Sequence, residues 1–385
     1  MTHPHASPIR ITRIEAFVFR APIANPVRTS FGVMTDRPAV LVRAEDSDGA
    51  FGWGEVWCNF PSCGAEHRAR LIDTVLAPLL VQQWFEAPEA AFRHLSEETA
   101  VLAIQSAEPG PIAQAIAGVD LALWDLCARR AKTPLWQFIR GQAPDTQPAR
   151  ISVYASGINP DHPERTAERA WEAGYRAFKL KIGFGRDRDL ANLTAMRSHL
   201  GAGIPLMADA NQGWSLEEAL RMLPDLEPFD LCWLEEPLRA DRPWDEWAQL
   251  RARSGIPLAA GENLASPVEF TQAIATRQLS VLQPDAAKWG GISGCWPVIQ
   301  ATRAAHLLYC PHYLGGGIGL LHSAHLLAAA GGRGMLEIDS NPNPLRSLLA
   351  GPLEQISDGK ATLASAPGIG FEPELASLAS MRQVH

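Results

Sequence analysis

Lysine, carboxylate and histidine side chains recur in this chain at the ends of short apolar runs. In order the runs read AFKLKIG, PLMADAN, LCWLEEP, PLAAGEN, SVLQPDA, LLYCPHY and GMLEIDS. Their polar ends are Lys179 and Lys181, Asp209, Glu235, Glu262, Asp285, His312 and Glu337. Converging carboxylates repel one another unless a cation lies between them, and all-oxygen ligation favours Mg²⁺ over Zn²⁺. Asp209, Glu235 and Glu262 are therefore the candidate metal ligands. Lys179 and Lys181 face the same way, because side chains alternate along a strand. One can stabilise negative charge. The other can lose its proton, since a neighbouring ammonium and a metal both disfavour its charged form. Asp285 can hold His312 in one tautomer and stabilise its protonated form, which makes a second acid/base. Glu337 can donate a hydrogen bond to a substrate oxygen if its surroundings keep it protonated. Lys288, in PDAAKWGG, is a further cation.

These groups suit one reaction type. A bound carboxylate substrate loses the proton on its adjacent carbon, and the charge that develops falls on oxygens held by metal and lysine. Reprotonation from the other face gives racemisation. Protonation of a β-hydroxyl instead gives dehydration. A lysine Schiff-base aldolase would also use an inward lysine, but it leaves the carboxylate series without a purpose.

Something must bring these ends together. The runs lie about 25–30 residues apart, the length of one strand-plus-helix unit. Reactive groups at strand ends then indicate the C-terminal mouth of a barrel of βα units. ISVYASG at 151–157 reads as the first barrel strand and carries no strong catalytic group. Upstream, 9–20, 38–46 and 50–57 read as an antiparallel meander with a turn at Ser47-Asp48-Gly49. Helical patterns follow at 65–83, 88–103 and 111–130. The expected domains are an α+β cap over 1–145, a barrel over 146–345, and a segment over 346–385 that returns to the cap. Pro144 to Pro148 reads as the linker. Segments 21–37 and 57–64 lack periodicity and read as lid loops.

Bulk properties narrow the classes. The chain has 385 residues, 46% hydrophobic and 20% charged, with a net charge of -8. A barrel takes about 250 residues, so a second domain must account for the rest. The negative balance argues against a general nucleic-acid or anionic-membrane surface. The six cysteines form no C-x-x-C pair, so reduced, buried thiols are expected. No signal peptide or membrane span is read, and a cytoplasmic location is the default.

Taken in order, KLK, MADAN, WLEEP, GEN, PDAAKWGG, PHYLGGG and LEID resemble the enolase superfamily, in its mandelate racemase-like subgroup. The resemblance covers nearly the whole chain. It implies a modified TIM barrel, (β/α)₇β, beneath an α+β N-terminal capping domain. It assigns Mg²⁺ to Asp209, Glu235 and Glu262, choosing Glu235 over Glu236. It makes Lys181 one base and the His312–Asp285 dyad the other, with Lys179 and Glu337 assisting. Lys288 resembles the second base of the muconate lactonising-like subgroup, but the presence of His312 favours the dyad. Arg28, Trp57, Asn59, Asn211 and Lys288 are substrate-binding candidates. The implied activity is dehydration of an acid sugar to a 2-keto-3-deoxy acid. Racemisation or epimerisation of an α-hydroxy or α-amino acid derivative, or cycloisomerisation, is the alternative. The implied partners are a small-molecule carboxylate and further copies of the chain, from dimer to octamer.

Overall fold

The computed structural model describes residues 8–28, 32–141 and 148–385. Three strands, β1 (Ile9–Arg28), β2 (Val33–Asp46) and β3 (Phe51–Val56), pair antiparallel in sequence order. Asp46 makes the turn between β2 and β3, its Oδ1 accepting from the N–H groups of Asp48 and Ala50 at 3.0 and 2.9 Å. A short strand, β4 (Trp84–Phe85), pairs with Ile9 and Arg10.

Within the segment read as a loop at 21–37, residues 21–28 instead continue β1 and residues 33–37 belong to β2. Ala21 pairs with Arg37, Pro22 with Asp36, and Val27 with Met34. The register shifts between Pro22 and Val27. Proline donates no ladder bond and is tolerated at edges and bulges, so Pro22 and Pro26 hid a strand that the irregularity accommodates. The predicted linker lies outside the described residues, apart from Pro148.

Behind the meander, helix Pro109–Arg130 packs directly on β3. The contact depends on glycine. A Cβ on Gly54 would fall 2.1 Å from the Gly118 carbonyl oxygen, and one on Gly52 would fall 2.2 Å from that of Ala122. This helix is long and apolar enough to cross a membrane, but 89% of its most apolar window is buried inside the fold.

The second body is a barrel of parallel strands: β5 (Arg150–Ile158), β6 (Phe178–Lys181), β7 (Leu206–Asp209), β8 (Leu234–Glu235), β9 (Leu258–Ala260), β10 (Val281–Leu282), β11 (Leu308–Tyr309) and β12 (Met335–Asp339). They lie side by side in that order, and β12 returns to pair with β5. Among the described residues, a helix follows each strand from β5 to β11, whereas β12 leads only into the four-residue turn Pro344–Ser347. This is the (β/α)₇β arrangement with a separate α+β domain. Chain connections of this kind are right-handed and put helices outside, so the inward face must fill itself. Tyr154, Ala177, Met207, Trp233, Ala259, Val281 and Cys310 do so as one buried cluster.

The C-terminal segment divides between the two bodies. β13 (Lys360–Thr362) pairs antiparallel with β5, and β14 (Arg382–Gln383) pairs with Val18 and Phe19 of β1. All six cysteines are free thiols; Cys58, Cys127, Cys295 and Cys310 are buried, whereas Cys63 and Cys232 are exposed.

Candidate active site

Register places the polar ends on one rung. Lys181 pairs with Asp209, and Asp209 with Glu235, across β6, β7 and β8. Partners in register point to the same face, here the interior above the apolar cluster. Glu262 follows β9 by two residues, and Asp285 and His312 follow β10 and β11 by three. Glu337 lies within β12. All the residues predicted to do chemistry therefore surround one mouth.

Each acid there faces a cation. Lys181 Nζ donates to Asp209 Oδ2 at 2.7 Å. Lys179 Nζ bridges Glu235, in a short contact, and Glu337 Oε1 at 2.8 Å. His312 Nδ1 lies 2.7 Å from Asp285 Oδ2, and its Nε2 lies 2.5 Å from Glu262 Oε2. Lys288 Nζ donates to Asn263 Oδ1 at 2.8 Å and stands 3.7 Å from Glu262. Trp57, from the loop after β3, covers this ammonium with its ring at 4.9 Å.

Burial sets the electrostatics. It lowers the basicity of Lys179, His312 and Lys181, but facing carboxylates outweigh it and hold all three above their ordinary values. For Lys181 the raising partners are Asp209 and Glu262, while Lys179 opposes them. Burial pushes Glu235 up to about 7 despite Lys179. Glu262 is held well below the usual carboxylate range, because His312 and Lys288 overcome its burial.

Glu337 corrects an expectation. The sequence reading allows it to be a protonated hydrogen-bond donor. In the fold, Lys179 and His312 overcome its burial and hold its carboxyl below the ordinary value. All its neighbours donate: Lys179, the Ser156 hydroxyl in a short bond, and the Tyr313 N–H at 3.2 Å. It is an acceptor that tethers Lys179.

Asp209, Glu235 and Glu262 stand at three successive strand ends. Among the described residues, no group of three or more His, Cys, Asp or Glu side chains is closed around a common point. The donor set nevertheless fits a hard divalent ion. The three side chains offer only carboxylate oxygens, and Glu235 remains under-compensated by the one ammonium it shares with Glu337.

The remaining candidates divide. Lys288 and Trp57 belong to the mouth. Asn211 lies beside Asp209, its N–H donating to Oδ1 at 2.7 Å. Asn59 Nδ2 donates to the Leu314 carbonyl at 2.6 Å, so one of its amide protons serves the chain itself. Arg28 ends β1, and its side chain lies outside the described residues. Several members went unread in the sequence. Gln283 Nε2 and Trp233 Nε1 donate to Glu235 Oε2 at 2.6 and 3.0 Å. Glu236, also buried, accepts from Asn263 Nδ2 at 2.9 and 3.0 Å. Ser156 and Asn263 were missed because single hydroxyls and amides are common at strand ends. Only the period-two phase of β5 pointed Ser156 inward.

Comparison with known proteins agrees with this geometry. Residues 13–140 match the mandelate racemase / muconate lactonizing enzyme N-terminal domain, and residues 163–377 match the enolase C-terminal domain-like family. The chain is 32% identical over 366 residues to a 3,6-anhydro-alpha-L-galactonate cycloisomerase of Streptomyces coelicolor, covering 94% of this chain and 96% of that one. It is 34% identical over 265 residues to an L-talarate/galactarate dehydratase of Salmonella typhimurium, covering 68% and 64%. Among solved structures, a mandelate racemase/muconate lactonizing enzyme from Bordetella bronchiseptica superposes with a TM-score of 0.91 at 57% identity, over 97% of this chain and 100% of that one. A racemase from Streptomyces coelicolor with bound magnesium superposes with a TM-score of 0.86 at 29% identity, over 97% and 100%. With both domain matches in chain order, the protein belongs to the mandelate racemase / muconate lactonizing enzyme family of the enolase superfamily.

Proposed function

We propose that this protein is a Mg²⁺-dependent acid-sugar dehydratase, a carbon–oxygen lyase that removes a proton α to a carboxylate and then a β-hydroxyl. One observation carries the reading. Two proton-handling groups, Lys181 on β6 and the His312–Asp285 pair beyond β11 and β10, flank the same buried carboxylate rung. In this reading Asp209, Glu235 and Glu262 hold Mg²⁺. Bound there, it supplies charge stabilisation for the substrate carboxylate as the α-proton leaves. With Asp209 and Glu262 both engaged elsewhere, Lys181 would keep two influences that lower its basicity, burial and Lys179. A neutral Lys181 is then the base on one face. His312 Nδ1 is held by Asp285, so its Nε2, which contacts Glu262 here, is the nitrogen that would give a proton to the departing hydroxyl once Glu262 is engaged elsewhere. Lys179, tethered by Glu337, supports the substrate carboxylate. Trp57 and Lys288 border the distal end of the substrate, and Asn211, Asn59 and Arg28 are lesser candidates there. The reading includes a homo-oligomer in the cytoplasm.

A second reading has a specific support. The cycloisomerase relative matches nearly end to end, so an anhydro sugar acid or a lactone is the alternative substrate. Both readings share the α-proton step. The test is incubation with Mg²⁺ and a panel of aldonates, aldarates, their lactones and 3,6-anhydrogalactonates. A 2-keto acid formed with loss of water supports dehydration. An isomer of unchanged mass supports cycloisomerisation or, with inversion alone, racemisation. Absence of any product, and of α-proton exchange in D₂O, would refute both.

A further inference from the structure

Glu55 is a carboxyl group of the α+β domain, pushed up to about 7 by burial, that the proposed reaction does not touch. It sits on β3, is 1% exposed, and meets backbone donors and the Tyr313 hydroxyl rather than a cation. Its Oε1 accepts from the Gly316 N–H at 2.5 Å and its Oε2 from the Gly319 N–H at 2.8 Å. These two groups open helix Gly317–Ala330, for which Gly316 is the N-cap residue. The first N–H groups of a helix have no partner within it, and a carboxylate is the acceptor they favour. Here the cap is supplied by another domain.

That helix begins five residues after His312. Three of the four peptide units between His312 and Gly316 are held. The Tyr313 N–H donates to Glu337, the Leu314 carbonyl accepts from Asn59 and the Gly315 carbonyl from Asn343, at 3.2, 2.6 and 2.8 Å. The Gly316 N–H then ends on Glu55. The glycines leave no slack. A Cβ on Gly316 would lie 2.6 Å from Glu55 Oε1, and one on Gly319 would lie 2.3 Å from the Tyr313 hydroxyl oxygen. Two of the four holding groups, Asn59 and Glu55, come from the α+β domain, so that domain sets the path of the chain that carries His312.

We propose that Glu55 is a positioning residue for His312, placing the imidazole against Asp285 by anchoring the helix that follows it. The inference rests on the reading of His312 as a proton-transfer group. It adds that docking of the α+β domain completes the dyad as well as covering it. Both Glu55 oxygens are occupied by N–H donors, so acceptor character on both is what matters. Glu55→Gln keeps the shape but turns an NH₂ toward one of the two donors. Glu55→Asp keeps two acceptors but withdraws them by one methylene.

The test reads His312 directly, so it does not depend on knowing the substrate. Protein labelled with ¹⁵N-histidine reports the His312 ring nitrogens, assigned by their disappearance in His312→Asn. In Glu55→Gln the expected result is a displaced His312 signal, with the exposed His162 and His199, which lie on other elements, unmoved. On a substrate found in the panel, kcat should fall by about ten- to a hundredfold with KM within about threefold, since an ångström of misplacement costs about 10². Glu55→Asp should fall between. A lowered Tm with an unchanged His312 signal and unchanged kcat would make Glu55 a purely structural cap and overturn the proposal. Failure of the whole panel would count against the functional reading alone, because the ring signals still report position. Should neither variant fold, amide exchange in the wild-type protein decides. Protection of Gly316 and Gly319 equal to the helix interior supports the clamp, and exchange a hundredfold faster refutes it.

Discussion

Lys181 and His312 are set apart by what holds them. Lys181 has one close acid, Asp209, whereas His312 is held through Nδ1 by Asp285 and faces Glu262 through Nε2. Each should be separately necessary: Lys181 for α-proton exchange, and His312 for loss of the β-hydroxyl or for exchange from the opposite face. In D₂O with Mg²⁺, Lys181→Ala and His312→Asn should each lower exchange or turnover by about 10²–10⁴-fold. Retained exchange in both variants would void the base assignment. The carboxylate rung gives a second expectation. Chelator-treated protein should lose turnover and recover it with Mg²⁺, and recovery should fail in Asp209→Asn. Activity untouched by chelation would remove the metal from the reading. The types and order of these residues were legible in the sequence. The state of Glu337 was not, because the ammonium and imidazole that fix it arrive from β6 and the turn after β11.

At the scale of elements, the rung exists because β6, β7 and β8 pair in parallel register and because no residue in them disturbs the phase. A shift by one residue in these strands would turn Lys179, Lys181, Asp209 and Glu235 into the helix layer. The α+β domain depends on a different fit, the approach of β3 to helix Pro109–Arg130. Gly54→Ala forces a methyl to 2.1 Å from a backbone oxygen, where no side chain can move aside. It should destabilise the protein by about 3 kcal/mol, at the upper end for overpacking. Thermal unfolding measures this, and a Tm within about 1 °C of wild type would show that helix and strand separate freely. The glycines were visible in the sequence, as FGWGE, but the partner across the contact was not. The pairing of residues 21–28 with 33–37 was unreadable for a local reason, since prolines interrupt the alternation that marks a strand.

For the whole molecule, the joint between the two domains is built from buried polar groups. His322 and His325, both fully buried on helix Gly317–Ala330, bond to the Trp53 and Ile369 carbonyls at 2.8 and 3.3 Å. Burial drives their pKa values down to about 3 and about 4. The unfolded chain takes up protons below about 6.5, whereas the folded chain refuses them. Stability tied to these residues is therefore complete above pH 6.5 and is lost as pH falls toward 4 and 3. Each histidine should contribute a loss of about 3 kcal/mol between pH 6.5 and 4. Urea unfolding across this range checks it, with His325→Gln expected to flatten the acid limb. An acid limb of the same slope in that variant would remove His325 as its source.

The one-dimensional chain already determined the chemical alphabet and its order. A lysine pair, three acids, an aspartate, a histidine and a final glutamate recur at βα spacing. That pattern is local, so the parallel barrel and its mouth could be read from it. Tertiary structure decided everything that depends on partners far apart in sequence. It made Glu337 an acceptor, brought Glu236, Asn263, Gln283 and Ser156 into the mouth, and set Glu55 at the start of a barrel helix 261 residues away. The reason is that charge state and hydrogen bonding belong to pairs, and only folding chooses the second member of each pair.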